Sequence, residues 1–568
     1  MRDILHTLAI GLIGAGGAAA QAPGLPIVDL NVTIHQATLN ETAGYFNFSN
    51  IPYAEPPLGD LRFQRSIPLQ TPNRTLNDGS NPRICPQGTP LWQITVPPPI
   101  PFASPPPAPP AGAPPGPPPP DPQESEDCLL LDVMVPVQTF NAALGGTAPL
   151  APVLVWIHGG GFAGGSKANQ GNPAQLVAKS AQGGLGGMVF VQINYRLGMF
   201  GFPPKGPTDT NVDPNAGFFD QQLALQWVQQ NIKAFGGDPA QVTVMGESAG
   251  GASIWAQLQA FGSQADTPLM QRAIIQSPAQ RPASDAVLYA QVFQEFVATS
   301  NLTSVTAARA LDTQQLQSLN REIIGNAAFG AFTFGPSIDG DFLPANQFTM
   351  LQAGQFARNV DAIVAHNANE GLLFTDPRVQ NETDLIAYLS AFMPSINPTV
   401  IQNIATNIYP EEFSGALGYT TPTERLALLN SEAIVGCNVN ALAKAFATTL
   451  RAPNPANAGA ANGYLFSVNP AIHAQDLGYT FFNGPSADVF GNSVDPTVAD
   501  QLQTIIVDFV IQGRKNLAVP VQPGAAPAAP PPVLDAFSLL ALNVTGSSLV
   551  QDPTNDIRCQ VWQSGLTN

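Results

Sequence analysis

The sequence predicts an α/β fold, with one large, mainly parallel sheet flanked by helices on both faces. Three observations carry that prediction. Short apolar runs rich in β-branched residues recur at 151–159 (APVLVWIHG), 187–196 (GMVFVQINYR), 241–246 (QVTVMG), 272–277 (RAIIQS) and 361–366 (DAIVAH). Helical spacing separates some of them, most clearly in 220–235. There Leu223, Leu225, Trp227, Val228, Ile232 and Phe235 are apolar before Gly236-Gly237 ends the pattern. Strands alternating with helices give right-handed crossovers and parallel pairing. Ligands in such sheets bind beyond the carboxyl ends of strands, and Gly159–Gly161, Ser248 and Glu370 all lie just past predicted ends.

From the N-terminus, residues 1–20 begin with Arg2, continue as an apolar small-residue run and end Ala18-Ala19-Ala20. This is the pattern of a secretory signal cleaved before Gln21, too short and Gly-rich for a membrane span. No later stretch is expected to cross a bilayer. Residues 21–568 are expected to form one domain. Segments 27–35 and 44–53 read as short strands. Residues 97–122, PPPIPFASPPPAPPAGAPPGPPPPDP, cannot donate to a ladder or continue a helix, and read as an extended surface excursion, a spacer in preference to a flap. A second Pro/Ala-rich loop spans 519–534.

Acidic residues outnumber basic ones 40 to 22, a net charge of -18. That argues against nucleic acid or anionic membrane as a partner. It leaves neutral or cationic small substrates, in acidic or extracellular fluid. N-x-S/T sequons at Asn31, Asn40, Asn47, Asn73, Asn301, Asn381 and Asn543 agree with secretion. So do the four cysteines, Cys85, Cys128, Cys437 and Cys559, whose spacing matches no zinc site. Three pairings are possible. Joining 85 to 128 and 437 to 559 closes the least chain, and in the chain-entropy model each link stabilises by roughly 3–5 kcal/mol.

The chemistry is read from Gly246-Glu247-Ser248-Ala249-Gly250, which follows a strand and opens a small-residue helix. Glycines let strand and helix approach closely while the serine is held on a tight turn with its hydroxyl clear of the sheet. A serine hydroxyl needs a base. His473, in a loop after the strand-like GYLFSV, is preferred over His366, which leaves little chain for an intervening acid. His6 lies in the signal, His35 near the N-terminus, and His158 directly before the glycines. Candidates for the acid are Glu370 on a Gly turn and Asp339, Asp341, Asp361 and Asp376. His158-Gly159-Gly160-Gly161-Phe162 follows a strand, and consecutive glycine amides there, with that of Ala249, can meet an oxyanion.

Several stretches now combine: NFSNIPYAEPPLGDLRF (47–63), SEDCLLLDV (125–133), HGGGF (158–162), NYRLGMFGF (194–202), GESAGG (246–251), IDGDFLP (338–344), NEG (369–371) and HAQDLGYTF (473–481). Together they resemble the type-B carboxylesterase/cholinesterase family of α/β-hydrolases, including fungal esterases and lipases, over most of the chain. The resemblance implies a Ser248–Glu370–His473 triad and oxyanion donors at Gly160, Gly161 and Ala249. It places Glu247 and Ser277 beside the triad without reacting. It implies the Cys85–Cys128 and Cys437–Cys559 pairing, ion pairs of Arg62 with Glu126 and of Arg196 with Asp220, and no metal or organic cofactor. The chain departs from the family in its first Cys loop, where prolines replace a lid and Trp92 carries over no role. Its middle disulfide is missing, and Ala474 stands where glycine follows the histidine. The expected function is a secreted serine ester hydrolase on small or medium esters. The alternatives are an interfacial triacylglycerol lipase and a non-catalytic adhesion or scaffold protein, a class whose members usually lack the Ser or His present here.

Overall fold

The computed structural model describes residues 24–96, 99, 119–263, 269–282, 286–449, 461–513, 538–554 and 556–564. The expected signal, most of the proline tract and the whole 519–534 loop lie outside the described residues. The strands in chain order are β1 (Ile27–Asp29), β2 (Thr33–Gln36), β3 (Thr38–Asn40), β4 (Tyr45–Pro52), β5 (Asn73–Asn77), β6 (Leu130–Pro136), β7 (Ala151–Ile157) and β8 (Val189–Ile193). There follow β9 (Gly237–Glu247), β10 (Arg272–Gln276), β11 (Asp361–Asn367), β12 (Ala461–Asn462), β13 (Tyr464–Phe466), β14 (Ser538–Leu542) and β15 (Ser548–Gln551).

β1, β2 and β5 form a small separate sheet. The main sheet runs β15-β14-β13-β11-β10-β9-β7-β8-β6-β4-β3, with β12 beside β11. From β8 to β14 the pairing is parallel, and antiparallel strands cover both ends. The strands of the parallel block are buried on both faces, which is why they are unbroken apolar runs. Period-two alternation sends Val153, Val155, Val244 and Ile275 into one core and Leu154, Trp156, Met245 and Ile274 into the other. Helix Ala216–Asn231 buries Leu223, Ala224, Leu225 and Val228 in the first core. Helix Pro496–Gln512 buries Leu502, Ile506 and Phe509 in the second.

Two boundaries differ from expectation. The helix predicted for 220–235 begins at Ala216, and its last turn tightens into a 3-10 turn, Ile232–Phe235. Gly236, at φ 85°, then turns the chain into β9, so the strand starts four residues before 241. The expectation that no later stretch could span a bilayer fails on length and composition: Pro422–Ala447 is a 26-residue helix containing an 18-residue window of mean hydropathy 1.3. Its apolarity has another cause, since 83% of that window is buried within the protein.

Both disulfides form as expected, Cys85–Cys128 and Cys437–Cys559, with Cα separations of 5.0 and 5.1 Å. Both expected ion pairs are buried. Arg62 donates through Nε and Nη2 to the two oxygens of Glu126 at 2.8 and 2.7 Å. Arg196 does the same to Asp220, also at 2.8 and 2.7 Å. The Arg62 Nη1 donates to the carbonyls of Arg309 and Leu311, so this fork ties three separate segments together.

Candidate active site

β9 ends at Glu247, and helix Ala249–Gln259 begins two residues on. Ser248 alone makes the turn, at φ 58° and ψ −122°, a left-handed backbone that a side chain rarely adopts. The glycines around it are sterically required. A Cβ on Gly250 would sit 2.1 Å from the Ile157 carbonyl oxygen, and one on Gly251 would sit 2.5 Å from that of Gln276. The Ser248 amide donates to the Gln276 carbonyl at 3.1 Å, and the Ala279 amide donates to the Ser248 carbonyl at 3.1 Å. The main chain that carries the hydroxyl is therefore fixed by backbone contacts on both of its polar groups.

The hydroxyl of Ser248 lies 2.8 Å from His473 Nε2, and His473 Nδ1 lies 2.5 Å from Glu370 Oε2. In the tautomer these contacts fit, the hydroxyl donates to Nε2 while Nδ1–H donates to the carboxylate. Glu370 sits two residues beyond the Ala368 that follows β11. Its other oxygen accepts from the Ser277 hydroxyl at 2.7 Å and the Asn367 amide at 2.6 Å. The Phe374 ring packs on the imidazole, with centroids 5.1 Å apart. Glu370 and His473 are almost fully buried, whereas Ser248 keeps 8% of its surface.

The rival acids are engaged elsewhere. Asp341 pairs with Arg65 and Asp376 with Arg378, while Asp339 accepts from Asn215. Asp361 begins β11, at the end of the strand opposite Glu370. His366 is packed elsewhere, buried with Nε2 3.7 Å from Asp552 Oδ1. His158 stacks on Tyr195 at 4.4 Å, and burial drops its pKa to about 4. His35 is likewise buried, on Thr33 and Asn77.

The glycine run after β7 lies against the Ser248 turn, since a Cβ on Gly159 would be 2.9 Å from Ser248 Cβ. Gly160 and Gly161 have φ of 106° and 63°. Among the described residues, the amides of Gly160, Gly161 and Ala249 donate to no protein acceptor. The loop is held from behind. Lys167 Nζ donates to both oxygens of buried Asp132 at 2.7 Å, and Gln170 accepts from the Gly159 amide at 2.7 Å.

Three buried carboxyl groups set the electrostatics. Burial alone would lower the His473 pKa, but Glu247, Glu370 and Asp476 outweigh it and hold it above the ordinary histidine value. Burial would raise Glu370, and the imidazole beside it reverses this, so Glu370 stays below the usual range and ionised. Burial pushes Glu247, with Oε1 3.5 Å from His473 Nε2, up to about 8, against the opposing pull of His473. Glu370 is the carboxylate that the imidazole meets through Nδ1, at 2.5 Å.

Sequence reasoning missed what stands behind the histidine. Asp476 accepts from Tyr464 Oη at 3.0 Å and from Asn367 Nδ2 and Gln276 Nε2 at 3.3 Å. Asn367 Nδ2 also donates to the Ile472 carbonyl at 2.7 Å, fixing the loop that carries His473. A signal was available: Asp476 is a carboxylate three residues past His473, inside HAQDLGYTF. The expected glycosylation sites fall into two groups. Asn31, Asn73, Asn301 and Asn381 are exposed; Asn40, Asn47 and Asn543 are half-buried, and the Asn47 Oδ1 is closed off from solvent.

A cavity opens at Ser248, lined by Phe162, Phe332, Phe334, Phe374, Phe392 and Arg281. Trp92 buttresses it from behind, 5.8 Å from the ring of Phe332, with its indole N–H on the Ala331 carbonyl.

Comparison with known proteins agrees with this architecture. The sequence profile described as the carboxylesterase family matches residues 34–531. The chain is 36% identical over 582 residues to the carboxylesterase patB of Aspergillus clavatus, covering 99% of each chain. It is 35% identical over 571 residues to the carboxylesterase patB of Penicillium expansum, covering 95% of this chain and 96% of the relative. The crystal structure of Aspergillus niger EstA superposes with a TM-score of 0.73 at 23% identity, covering 96% of this chain and 100% of that one. By these matches the chain belongs to the carboxylesterase family, a carboxylic ester hydrolase on an α/β-hydrolase fold.

Proposed function

We propose that the chain cleaves small and medium-sized carboxylic esters through an acyl-enzyme on Ser248. One observation carries the reading: a hydroxyl, an imidazole and a carboxylate, 225 and 103 residues apart in sequence, stand in line at 2.8 and 2.5 Å beside a cavity. His473 takes the Ser248 proton as the oxygen attacks the ester carbonyl, and Glu370 steadies the imidazolium. The tetrahedral oxyanion is met by the amides of Gly160, Gly161 and Ala249, each worth roughly 3–4 kcal/mol of transition-state stabilisation. His473 then protonates the leaving alcohol. In the second half it takes a proton from water, which attacks the acyl carbon and frees Ser248. Glu247 and Ser277 act on the position and charge of this line and exchange no proton with substrate.

The same reading makes the protein secreted, with residues 1–20 removed. The apolar start, the exposed sequon asparagines and two disulfides support it. A fluorophosphonate probe should label the wild type, and Ser248→Ala should lose both label and p-nitrophenyl ester turnover. Turnover that survives in Ser248→Ala would end the proposal. A rate profile across acyl lengths sets the substrate range, and a jump in rate above the solubility limit of a triglyceride would reassign it as an interfacial lipase.

A further inference from the structure

The turn that offers amides to the oxyanion is built from the residues least able to hold a shape. Five of the seven residues from 159 to 165 are glycine. Glycine leaves the backbone free to turn a peptide over, and Gly160, Gly161 and Gly165 all stand at positive φ. An amide stabilises developing charge only if it faces that charge before it forms. Something outside the run must therefore fix its peptide planes. We propose that Gln87 is that group, a positioning residue that aims the Gly160 and Gly161 amides. This rests on the reading of Ser248 as the nucleophile.

Gln87 reaches the run from the first cysteine loop, two residues past the disulfide-bonded Cys85. Its side-chain amide pairs with both polar groups of Gly165. Oε1 accepts from the Gly165 amide at 2.7 Å, and Nε2 donates to the Gly165 carbonyl at 3.1 Å. The next residue adds a third bond, since the Gly88 amide donates to the Ala163 carbonyl at 2.8 Å. Residues 87 and 88 thus grip three consecutive peptide units, 163–164, 164–165 and 165–166. Gln87 is itself held at its main chain. Its amide donates to Glu124 Oε2 at 3.1 Å, and that oxygen also accepts from Arg321 Nη2 at 2.7 Å.

The grip passes to the oxyanion amides through two carbonyls. In a trans peptide the C=O and the N–H point opposite ways, so fixing one aims the other. The Gly160 carbonyl accepts from the amides of Ala163 and Gly164 at 3.1 and 2.9 Å, which points the Gly161 N–H the opposite way, out of the turn. The Gly164 amide belongs to the 163–164 unit, whose carbonyl Gly88 holds. The Gly159 carbonyl accepts from His158 Nδ1 at 2.8 Å, which aims the Gly160 N–H in the same manner. Gly165 is packed onto that pair: a Cβ there would lie 2.4 Å from both the Gly159 oxygen and His158 Nδ1. Gln87 holds Gly165 by both its amide and its carbonyl, so it braces the peptide planes of both donors.

The test replaces Gln87 by Met, which keeps the length and loses donor and acceptor, and by Glu, which when ionised keeps the acceptor and loses the donor. Both are compared with wild type on p-nitrophenyl butyrate and against an alkyl trifluoromethyl ketone. That ketone mimics the tetrahedral state: the serine oxygen bonds to its carbonyl carbon, the C=O π pair becomes the oxyanion, and the hydroxyl proton moves to His473. Rates are normalised to the fraction labelled at completion by a fluorophosphonate. Gln87→Met should lower kcat by about tenfold or more with KM little changed. The inhibition constant of the ketone should rise by the factor by which kcat/KM falls, and the pH midpoint should stay put. The Gln87→Glu deficit relative to wild type should shrink as pH falls, because a protonated carboxyl regains the donor. A kcat in Gln87→Met within about threefold of wild type overturns the proposal. So does a loss of kcat with an unchanged inhibition constant, which would place the damage away from the oxyanion. Should Gln87→Met fail to fold, shown by no label at completion, Gln87→Glu decides, and a deficit that does not change with pH overturns the proposal. A Ser248→Ala enzyme that still turns over would instead defeat the underlying reading, whatever Gln87 does.

Discussion

The two halves of the proposed catalytic line are held by different physics. On one side Ser248 is fixed by backbone: a left-handed turn, glycines packed against carbonyl oxygens, and amide–carbonyl bonds to neighbouring strands. On the other side His473 is fixed by side chains: Glu370, then Ser277 and Asn367, then Asp476 with Tyr464 and Gln276. A backbone-held group fails sterically, when an atom is added where none fits. A network-held group fails electrostatically, when a charge or a donor is changed. The nucleophile's position should therefore be insensitive to pH, and the base's availability should carry the pH dependence.

The largest expected effect breaks the second half. Glu370→Gln keeps the shape but removes the charge and can present an amide N–H to Nδ1, forcing the wrong tautomer. A loss of about 10⁴-fold in kcat is expected. Sign and pH go together here. The working form of His473 is neutral, so kcat/KM in the wild type should rise with pH through a midpoint above the ordinary histidine value, because buried carboxylates raise it. Without Glu370 that midpoint should move down. A midpoint that stays put in Glu370→Gln would mean that the carboxylate does not govern the imidazole.

The first half is broken by Gly250→Ala. The added methyl meets the Ile157 carbonyl oxygen at 2.1 Å, and rigid backbone on both sides cannot step aside cheaply. A stability loss of about 3 kcal/mol is expected in denaturant titration. Fluorophosphonate labelling should fall with it, and the pH midpoint of the remaining activity should not move. A shifted midpoint would dissolve the distinction between the two halves.

The same division explains what could be read beforehand. Ser248 and the Gly160–Gly161 run were legible because backbone strain leaves a local mark, glycine at fixed offsets after an apolar run. The parallel strands were legible because burial on both faces writes a continuous apolar string. Glu370 was not distinguishable from Asp339 or Asp376 by local chemistry. What separates them is that the latter two are occupied by Asn215 and Arg378, partners 124 residues away in one case. Asp476 and Asn367 went unread for the same reason, since side-chain networks are assembled by the fold from distant segments. The Pro422–Ala447 helix misled in the opposite sense: its apolar string comes from burial in the core, and no short window reveals its full length.

Asp476→Asn sharpens the comparison further. Asp476 touches neither Ser248 nor His473 through a hydrogen bond, yet when ionised it helps to hold the imidazole pKa up. Its removal should lower the midpoint of the acid limb and reduce kcat/KM by about tenfold, about 1.4 kcal/mol. KM should change little, because the residue lies behind the histidine and away from the cavity wall. A pure loss of folded protein with an unshifted pH profile would make Asp476 a structural group only.

The smallest effect belongs to Ser277→Ala. The Ser277 hydroxyl gives Glu370 Oε1 one hydrogen bond at 2.7 Å, but the Asn367 amide gives the same oxygen another at 2.6 Å. Losing one of two donors leaves the carboxylate anchored, so about 1 kcal/mol, a few-fold in kcat, is expected. The direction of the pKa change is also set. A donor to Glu370 stabilises its ionised form, so its loss raises the Glu370 pKa and leaves a slightly more basic carboxylate on the imidazole. The His473 midpoint should thus hold or edge upward in Ser277→Ala, opposite to its movement in Glu370→Gln and Asp476→Asn. Opposite signs from neighbouring substitutions are what a network held by charge and donors requires, and a steric account of the base predicts no sign at all.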